Sequence, residues 1–292
     1  MMHATQCAQA TSDKETKADP PVSSTADAKR AVLGVEPLRI STSGGPTIRD
    51  QCEVAVEKLL TIKVEGVDAF TLMCTPSQIK PLAVGFAFSE GMISSIDDVL
   101  GFTHEMDSGV VHLRLREAVD CTVGRSLIVT SSCGLCGSRS IVKYLAGTVQ
   151  STDSLRVPGS LLQTVARAMH AQQDFFARTG GTHAAGVFGA DGGLVSFGQD
   201  IGRHNALDKS IGQCLIQRLS PAGHGVVLSG RVSLELVTKA ARAGIELIAA
   251  VSAPSSLAMQ VAQSCNITLC GFVRADRATV YTHPHRIEGL EG

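Results

Sequence analysis

Residues 130–139, TSSCGLCGSR, set two thiols, Cys133 and Cys136, three positions apart among glycine and serine, directly after the apolar run SLIVT. Three chemistries use that spacing. Zinc binding needs two further ligands, and the nucleobase deaminases supply a His-x-Glu upstream of the cysteines. None of the nine histidines has glutamate two residues on, which disfavours the deaminase reaction. Thiol–disulfide exchange needs one accessible thiolate and a resolving partner, and a sulfur relay needs almost the same: a thiolate that accepts a terminal sulfur and hands it on. A loop entering a helix N-terminus favours a thiolate, and Gly134 and Gly137 supply the mobility that either chemistry uses. The remaining alternative, two packed cysteines, fits poorly with so polar and glycine-rich a segment. Spacing alone does not separate redox exchange from relay.

A second set of candidates sits at expected strand ends. In open α/β sheets ligands bind outside the carboxyl ends of the strands, where loops converge and helix N-termini expose N–H groups. Those ends are Ser229-Gly230-Arg231, Ser252-Ala253-Pro254-Ser255-Ser256 and Arg274-Ala275-Asp276-Arg277, and Gly202-Arg203-His204-Asn205 opens a helix with the same chemistry. Small, hydroxylated and cationic side chains in several converging loops make a phosphate or nucleotide pocket, without a Walker loop or a dinucleotide fingerprint. The plainer alternative is that the serines cap helices and the arginines face water.

These loops need a scaffold, and 292 residues provide one large domain or two modest ones. The apolar share, 44%, lies in the globular range, so a buried core is expected. A formal charge of −1 offers no global field for nucleic acid or an anionic membrane, so an anionic ligand must be held locally. No apolar run reaches the roughly 20 residues of a membrane span, and the N-terminus lacks a basic segment followed by an apolar one. Nine cysteines without regular spacing do not resemble a secreted disulfide framework, and a reducing cytoplasm fits them best.

Residues 1–35 are rich in Ala, Ser, Thr, Asp and Lys and read as a disordered tail. A hairpin is expected over residues 53–74 with its turn at Gly66 to Asp68. A helix follows, with Thr75 and Pro76 as cap and first position, Pro81 disturbing its start and Gly91 ending it. GVVHLRLRE and RSLIVTSS read as strands and SRSIVKYLAG as a helix, which places the cysteine pair between strand and helix and closes an N-terminal part over residues 36–150. Pro158-Gly159-Ser160 opens a longer helix running to Gly180-Gly181, the expected bridge between the halves. Residues 151–292 then continue as a hairpin turning at Asp191 to Gly193 and a regular alternation of helix and strand, the pattern of a parallel sheet covered on both faces.

SSCGLCG, GGTHAAGVF, DIGRHNALDK, LSGRVSLELVTKAARAG, AAVSAPSSLA and GFVRADRATVYTHPHRI, in this order, resemble the formate dehydrogenase accessory sulfurtransferase family, FdhD, as does MCTPSQIKPLAVGFAFSEGMI. The likeness spans roughly residues 35–288. It implies an α/β fold, a cytidine-deaminase-like layered sheet with helices on both faces plus a smaller N-terminal α+β part, and association as a homodimer. It implies a cytoplasmic sulfurtransferase that accepts persulfide sulfur from a cysteine desulfurase. The sulfur passes to the molybdenum bis(molybdopterin guanine dinucleotide) cofactor that formate dehydrogenase receives. The resemblance puts the persulfide carrier at Cys133 and the relay or resolving thiol at Cys136. It puts cofactor contacts at Phe272, Val273, Arg274, Ala275, Asp276 and Arg277, a site that a GDP-like nucleotide also suits; Asp276 stands where the family commonly carries glycine. Arg203, His204, Asn205, Ser229 and Arg231 join them from the strand-end argument alone. A cofactor chaperone that delivers without sulfurating, and a thiol–disulfide oxidoreductase, are the alternatives.

Overall fold

The computed structural model describes residues 30–66, 69–117 and 150–290, so Cys133, Cys136 and the strand and helix expected around them lie outside the described residues. Four short strands come first. β1 (Val32–Val35) pairs antiparallel with β4 (Cys52–Ala55), and β2 (Leu38–Arg39) pairs with β3 (Ile48–Arg49) between them, forming an arm. β1 takes up the last four positions of the segment read as a tail. β5 (Lys58–Val64), β6 (Ala69–Cys74), β7 (Val99–Glu105) and β8 (Val110–Leu115) make a four-stranded sheet in the order β6-β5-β8-β7. The expected hairpin is β5–β6, and period-two alternation buries Leu60, Ile62 and Val64 on one face while Leu59 and Lys63 stay exposed.

Helix α1 (Ile79–Ser89) starts four residues later than the expected cap at Thr75. Gln78, in the left-handed region at φ 51°, is the residue before it, and Pro81 falls within its first turn, where no intrahelical N–H bond is lost. Thr75 is used elsewhere, as described below. The long helix expected over residues 159–179 is two, α2 (Gly159–Ala171) and α3 (Asp174–Thr179). Gln173 leaves helical geometry at ψ 58°, and the side chain of Gln199 donates to the carbonyl of Gln172 at 3.0 Å. Of the expected bridge, α2 lies on the C-terminal sheet, whereas α3 reaches the arm through Arg178 Nε, 2.6 Å from Glu53 Oε2.

The second half is a six-stranded sheet in the order β10-β9-β11-β12-β13-β14. Its strands are β9 (His183–Phe188), β10 (Leu194–Asp200), β11 (Gly225–Leu228), β12 (Leu247–Ala250), β13 (Thr268–Gly271) and β14 (Thr279–Thr282), with α4 (Arg203–Ile216), α5 (Leu234–Arg242) and α6 (Ser256–Ser264) between them. Only the β11–β12 and β12–β13 pairs are parallel, so the sheet is mixed rather than parallel throughout. The tight turn after β9 and the helix-free loop after β13 are too short for crossovers, and each returns an antiparallel strand. Val226, Leu228, Ile248 and Ala250 face one core with α4, α5 and α6. Val227, Leu247 and Ala249 face a second core with Leu162, Val165 and Met169 of α2.

The first core is continuous with the N-terminal part, because Leu60, Ile62, Leu82 and Phe86 belong to it. Helices α1 and α4 meet backbone to backbone there. A Cβ on Gly85 would be driven into the carbonyl of Asp208, and one on Gly212 into the carbonyl of Pro81. Only glycine allows that approach.

Candidate functional site

One edge of the six-stranded sheet gathers the candidates. The carboxyl ends of β11, β12 and β13 lie there, and so do the start of β9 and the end of β10, because β9 runs against β11 and Asp200 pairs with His183. The rim therefore reads, strand by strand, Asp200 to His204, His183, Ser229 to Arg231, Val251 to Ser255 and Phe272 to Arg277.

The joint below the rim is built from paired charge. Asp200 and Lys209 are fully buried, with Nζ 2.7 Å from Oδ2. Lys209 also donates to the carbonyls of Thr75 and Gln199, at 3.0 and 2.8 Å. Asp200 accepts from the N–H groups of Thr75 and Gly202 and from Asn205 Nδ2, and Thr75 Oγ1 accepts from Ile201 N–H. Asn205 gives its amide to Met73 O at 2.8 Å as well. The end of β6, the end of β10 and the first turn of α4 are thus one hydrogen-bonded unit, and Asn205 is spent on holding it.

Above the joint the charges are unpaired. Arg203 and Arg231 make no hydrogen bond or ion pair with any described residue, and Arg203 Nε is buried without a partner. Burial, then the guanidinium of Arg231, pulls Arg203 below the ordinary arginine range, against the opposing carboxylate of Glu235. Beside them lies His183, whose Nδ1 is 3.3 Å from Ser229 Oγ, while Ser229 Oγ accepts from Ala184 N–H at 2.9 Å. Burial, Arg203 and Arg231 lower the basicity of His183, and Asp200 opposes them. Two uncompensated guanidiniums beside a neutral imidazole make a seat for an anion.

His204 turns the other way. Its Nε2 is 3.1 Å from Ser233 Oγ and 3.4 Å from Glu235 Oε2. Burial, with Arg203, Lys239 and His183 adding to it, pushes His204 down to about 3. Behind it, Lys239 lies 2.8 Å from Asp208 and 3.4 Å from Glu90, and Ser89 Oγ donates to Asp208 at 2.7 Å. This cluster ties α1, α4 and α5 together.

The residues at the end of β13 form a pinned turn. Arg274 N–H donates to Arg277 O at 2.8 Å, and Arg274 Nη1 donates to Val251 O and Val273 O, at 2.5 and 3.2 Å. The amide of Gln163 on α2 holds the carbonyl of Ala275. Val273 is buried, whereas Phe272 sits at φ 50° and is 42% exposed, a strained placement for an apolar residue at a surface. Arg277 is exposed and 3.6 Å from Asp276. From β9 to β13 is three strand spacings, about 14 Å, so the rim holds an aromatic face at one end and cationic donors at the other.

The sequence profile of the FdhD/NarQ family matches residues 55–288. This chain belongs to that family. A protein named sulfur carrier protein FdhD from Bordetella parapertussis is 36% identical over 239 residues, covering 80% of this chain and 87% of that protein. Its namesake from Mycobacterium tuberculosis is 39% identical over 251 residues, covering 80% and 91%. The namesake from Thermoplasma acidophilum is 37% identical over 244 residues, covering 80% and 86%. A crystal structure described as a formate dehydrogenase accessory protein, from Desulfotalea psychrophila, superposes with a TM-score of 0.72 at 22% identity, over 88% of this chain and 99% of the other. The family match spans both the strand-end loops and the segment with Cys133 and Cys136, so both fall within the matched stretch of sequence.

Reading strand ends brings Arg203, Ser229 and Arg231 together, places His204 and Asn205 behind them, and sets residues 272–277 further along the rim. It passes over His183, because that residue begins its strand instead of ending it. Gln163 was also missed: it lies in another element, and its spacing from Ala275 carries no signal.

Proposed function

We propose that this chain is a cytoplasmic sulfurtransferase that carries persulfide sulfur from a cysteine desulfurase to the molybdenum bis(molybdopterin guanine dinucleotide) cofactor of formate dehydrogenase. The observation that carries the reading is the family match, which runs through the C-x-x-C segment and joins this chain to relatives named sulfur carriers. The layering of the six-stranded sheet between α2 and α4 to α6 supports the cytidine-deaminase-like arrangement implied by the resemblance, and we take the working unit to be a homodimer.

The chemistry follows from the two thiols. The thiolate of Cys133 attacks the outer sulfur of the donor persulfide; a new S–S bond forms as the old one breaks, and the desulfurase cysteine leaves as thiolate. Cys136 then attacks the inner sulfur, giving a Cys133–Cys136 disulfide and releasing the outer sulfur as sulfide. Sulfide exchanges for an oxygen ligand on the acceptor molybdenum with loss of water, and a cellular dithiol reduces the disulfide. The rim supplies the acceptor's seat: Arg203 and Arg231 for phosphate, with Ser229 and His204 behind them, and Phe272 for a guanine or pterin face. A GDP-like nucleotide uses the same contacts.

The test is intact-protein mass spectrometry after incubation with a cysteine desulfurase and cysteine. The expected result is a gain of one sulfur, about 32 Da, that is lost on reduction and on Cys133→Ala. Wild-type protein that gains no sulfur while still restoring formate dehydrogenase would replace sulfur transfer with cofactor delivery.

A further inference from the structure

His183 stands beside Arg203 at the β9 end of the rim, with one ring nitrogen accounted for and one open. Ser229 Oγ accepts the Ala184 N–H at 2.9 Å and lies 3.3 Å from His183 Nδ1. No other described residue takes the Ser229 hydroxyl proton, and with Nδ1 as its acceptor the ring carries its own hydrogen on Nε2, the tautomer on which the proposal below is built. Gly230 lies flat against the ring edge: a Cβ there would come within 3.1 Å of Nδ1 and 3.2 Å of Cε1, and 3.6 Å of Arg203 Cδ. A side chain at position 230 would therefore crowd the ring and Arg203 together. Nε2 has no partner among the described residues and is not buried.

The groups facing this ring come from three elements. Asp200 pairs with His183 across the β9–β10 ladder, but its oxygens are taken by Lys209, Thr75, Gly202 and Asn205. Arg203 and His204 approach from α4, and His204 is engaged with Ser233. Arg231 approaches from the turn after β11. Cationic neighbours on two sides and an occupied carboxylate on the third favour a neutral ring that donates one hydrogen bond.

We propose that His183 Nε2–H, with the guanidiniums of Arg203 and Arg231, forms a three-donor seat for a pyrophosphate group, and that Ser229 is the positioning residue that keeps His183 in its donating form. Three donors from separate elements, two of them cationic, suit an anion with more than one negative charge and oxygens on several sides, as pyrophosphate has. The inference rests on the reading that the rim receives the nucleotide end of the acceptor.

Titration calorimetry of the full chain with inorganic pyrophosphate, and with GDP, tests it. His183→Ala is expected to weaken pyrophosphate roughly tenfold, the worth of one hydrogen bond to a charged group. His183→Gln, whose amide N–H reaches the place of Nε2, is expected to stay within about threefold of wild type, and Ser229→Ala to fall between the two. The ratio of wild-type to His183→Gln affinity is expected to stay constant from about pH 6 to 8, since a neutral donor does not titrate there. A folded His183→Ala that binds as wild type does, while Arg203→Met loses pyrophosphate, overturns the role of His183 and leaves the rim reading standing. A wild-type to Gln ratio that climbs towards acid pH overturns the neutral donor. Wild-type protein that binds neither probe overturns both.

Discussion

Two charged regions lie within a few residues of each other and are built on opposite rules. In the joint, every formal charge is answered: Asp200 meets Lys209, and each is further satisfied by main chain or amide. At the rim, Arg203 and Arg231 meet no carboxylate hydrogen bond, and the Arg231 guanidinium makes Arg203 harder to hold charged. Buried charge that shapes a fold is paired because an unpaired ion in an apolar interior is costly. Charge left unpaired at a half-buried edge has no structural reason to persist, and the economical reason is a ligand of opposite sign. The contrast separates Arg203 from Asn205, although both stand in the first turn of α4.

The comparison can be broken most sharply at Lys209. Lys209→Met leaves Asp200 buried without its cation, and a loss of about 3–5 kcal/mol in urea unfolding is expected. A loss below about 1 kcal/mol would show that the joint does not hold the two halves. Gly212→Ala pushes a methyl into the main chain of α1 and is expected to cost about 1–3 kcal/mol in the same assay, with Gly85→Ala alike.

A second paired cluster offers a test by pH. Glu246 and Arg286 are fully buried, with Nε 3.2 Å from Oε2. Burial alone would raise the pKa of Glu246, but hydrogen bonds from Thr152, Leu155 and Ser154 outweigh it and hold the carboxyl at about 2, below the ordinary 4.5. Because the folded value lies below the unfolded one, the stabilisation is present above about pH 4.5 and is lost as pH falls towards 2. Glu246→Gln is expected to flatten that part of the stability curve measured by thermal unfolding; an unchanged acid limb would remove Glu246 as its cause.

The smallest effect on stability is expected where the effect on binding is large. Arg203→Met and Arg231→Met should shift unfolding by no more than about 0.5 kcal/mol while weakening GDP at least tenfold. If either lowers stability as Lys209→Met does, the distinction between joint and rim fails.

Much of this architecture was legible in the residues. The β5–β6 and β9–β10 hairpins announce themselves by alternation and turn residues, and the helices and strands of the second half by clean changes of period and Ser or Gly at their ends. The arm was not, since strands of two and four residues carry too little pattern. β7 was missed because Gly101 interrupts its alternation, and β14 because it follows a loop without a helix. Arg203, Ser229 and Arg231 were found because the strand-end rule applies to β11 and to the helix following β10. His183 escaped the rule for a geometric reason: in an antiparallel strand the amino end reaches the same edge that its parallel neighbours reach with their carboxyl ends.

The contact of α1 with α4 has a consequence for how the chain is made. Gly85 and Gly212 pack closely, and Thr75 bonds to Asp200 across a separation of 125 residues. During synthesis the first sheet and α1 emerge well before the helix that covers them, so Leu82 and Phe86 wait uncovered while more than a third of the protein is still to be translated. The nascent N-terminal part is therefore the stage at which a holding chaperone has most to shield, and slowing translation beyond residue 90 is the intervention that would prolong it.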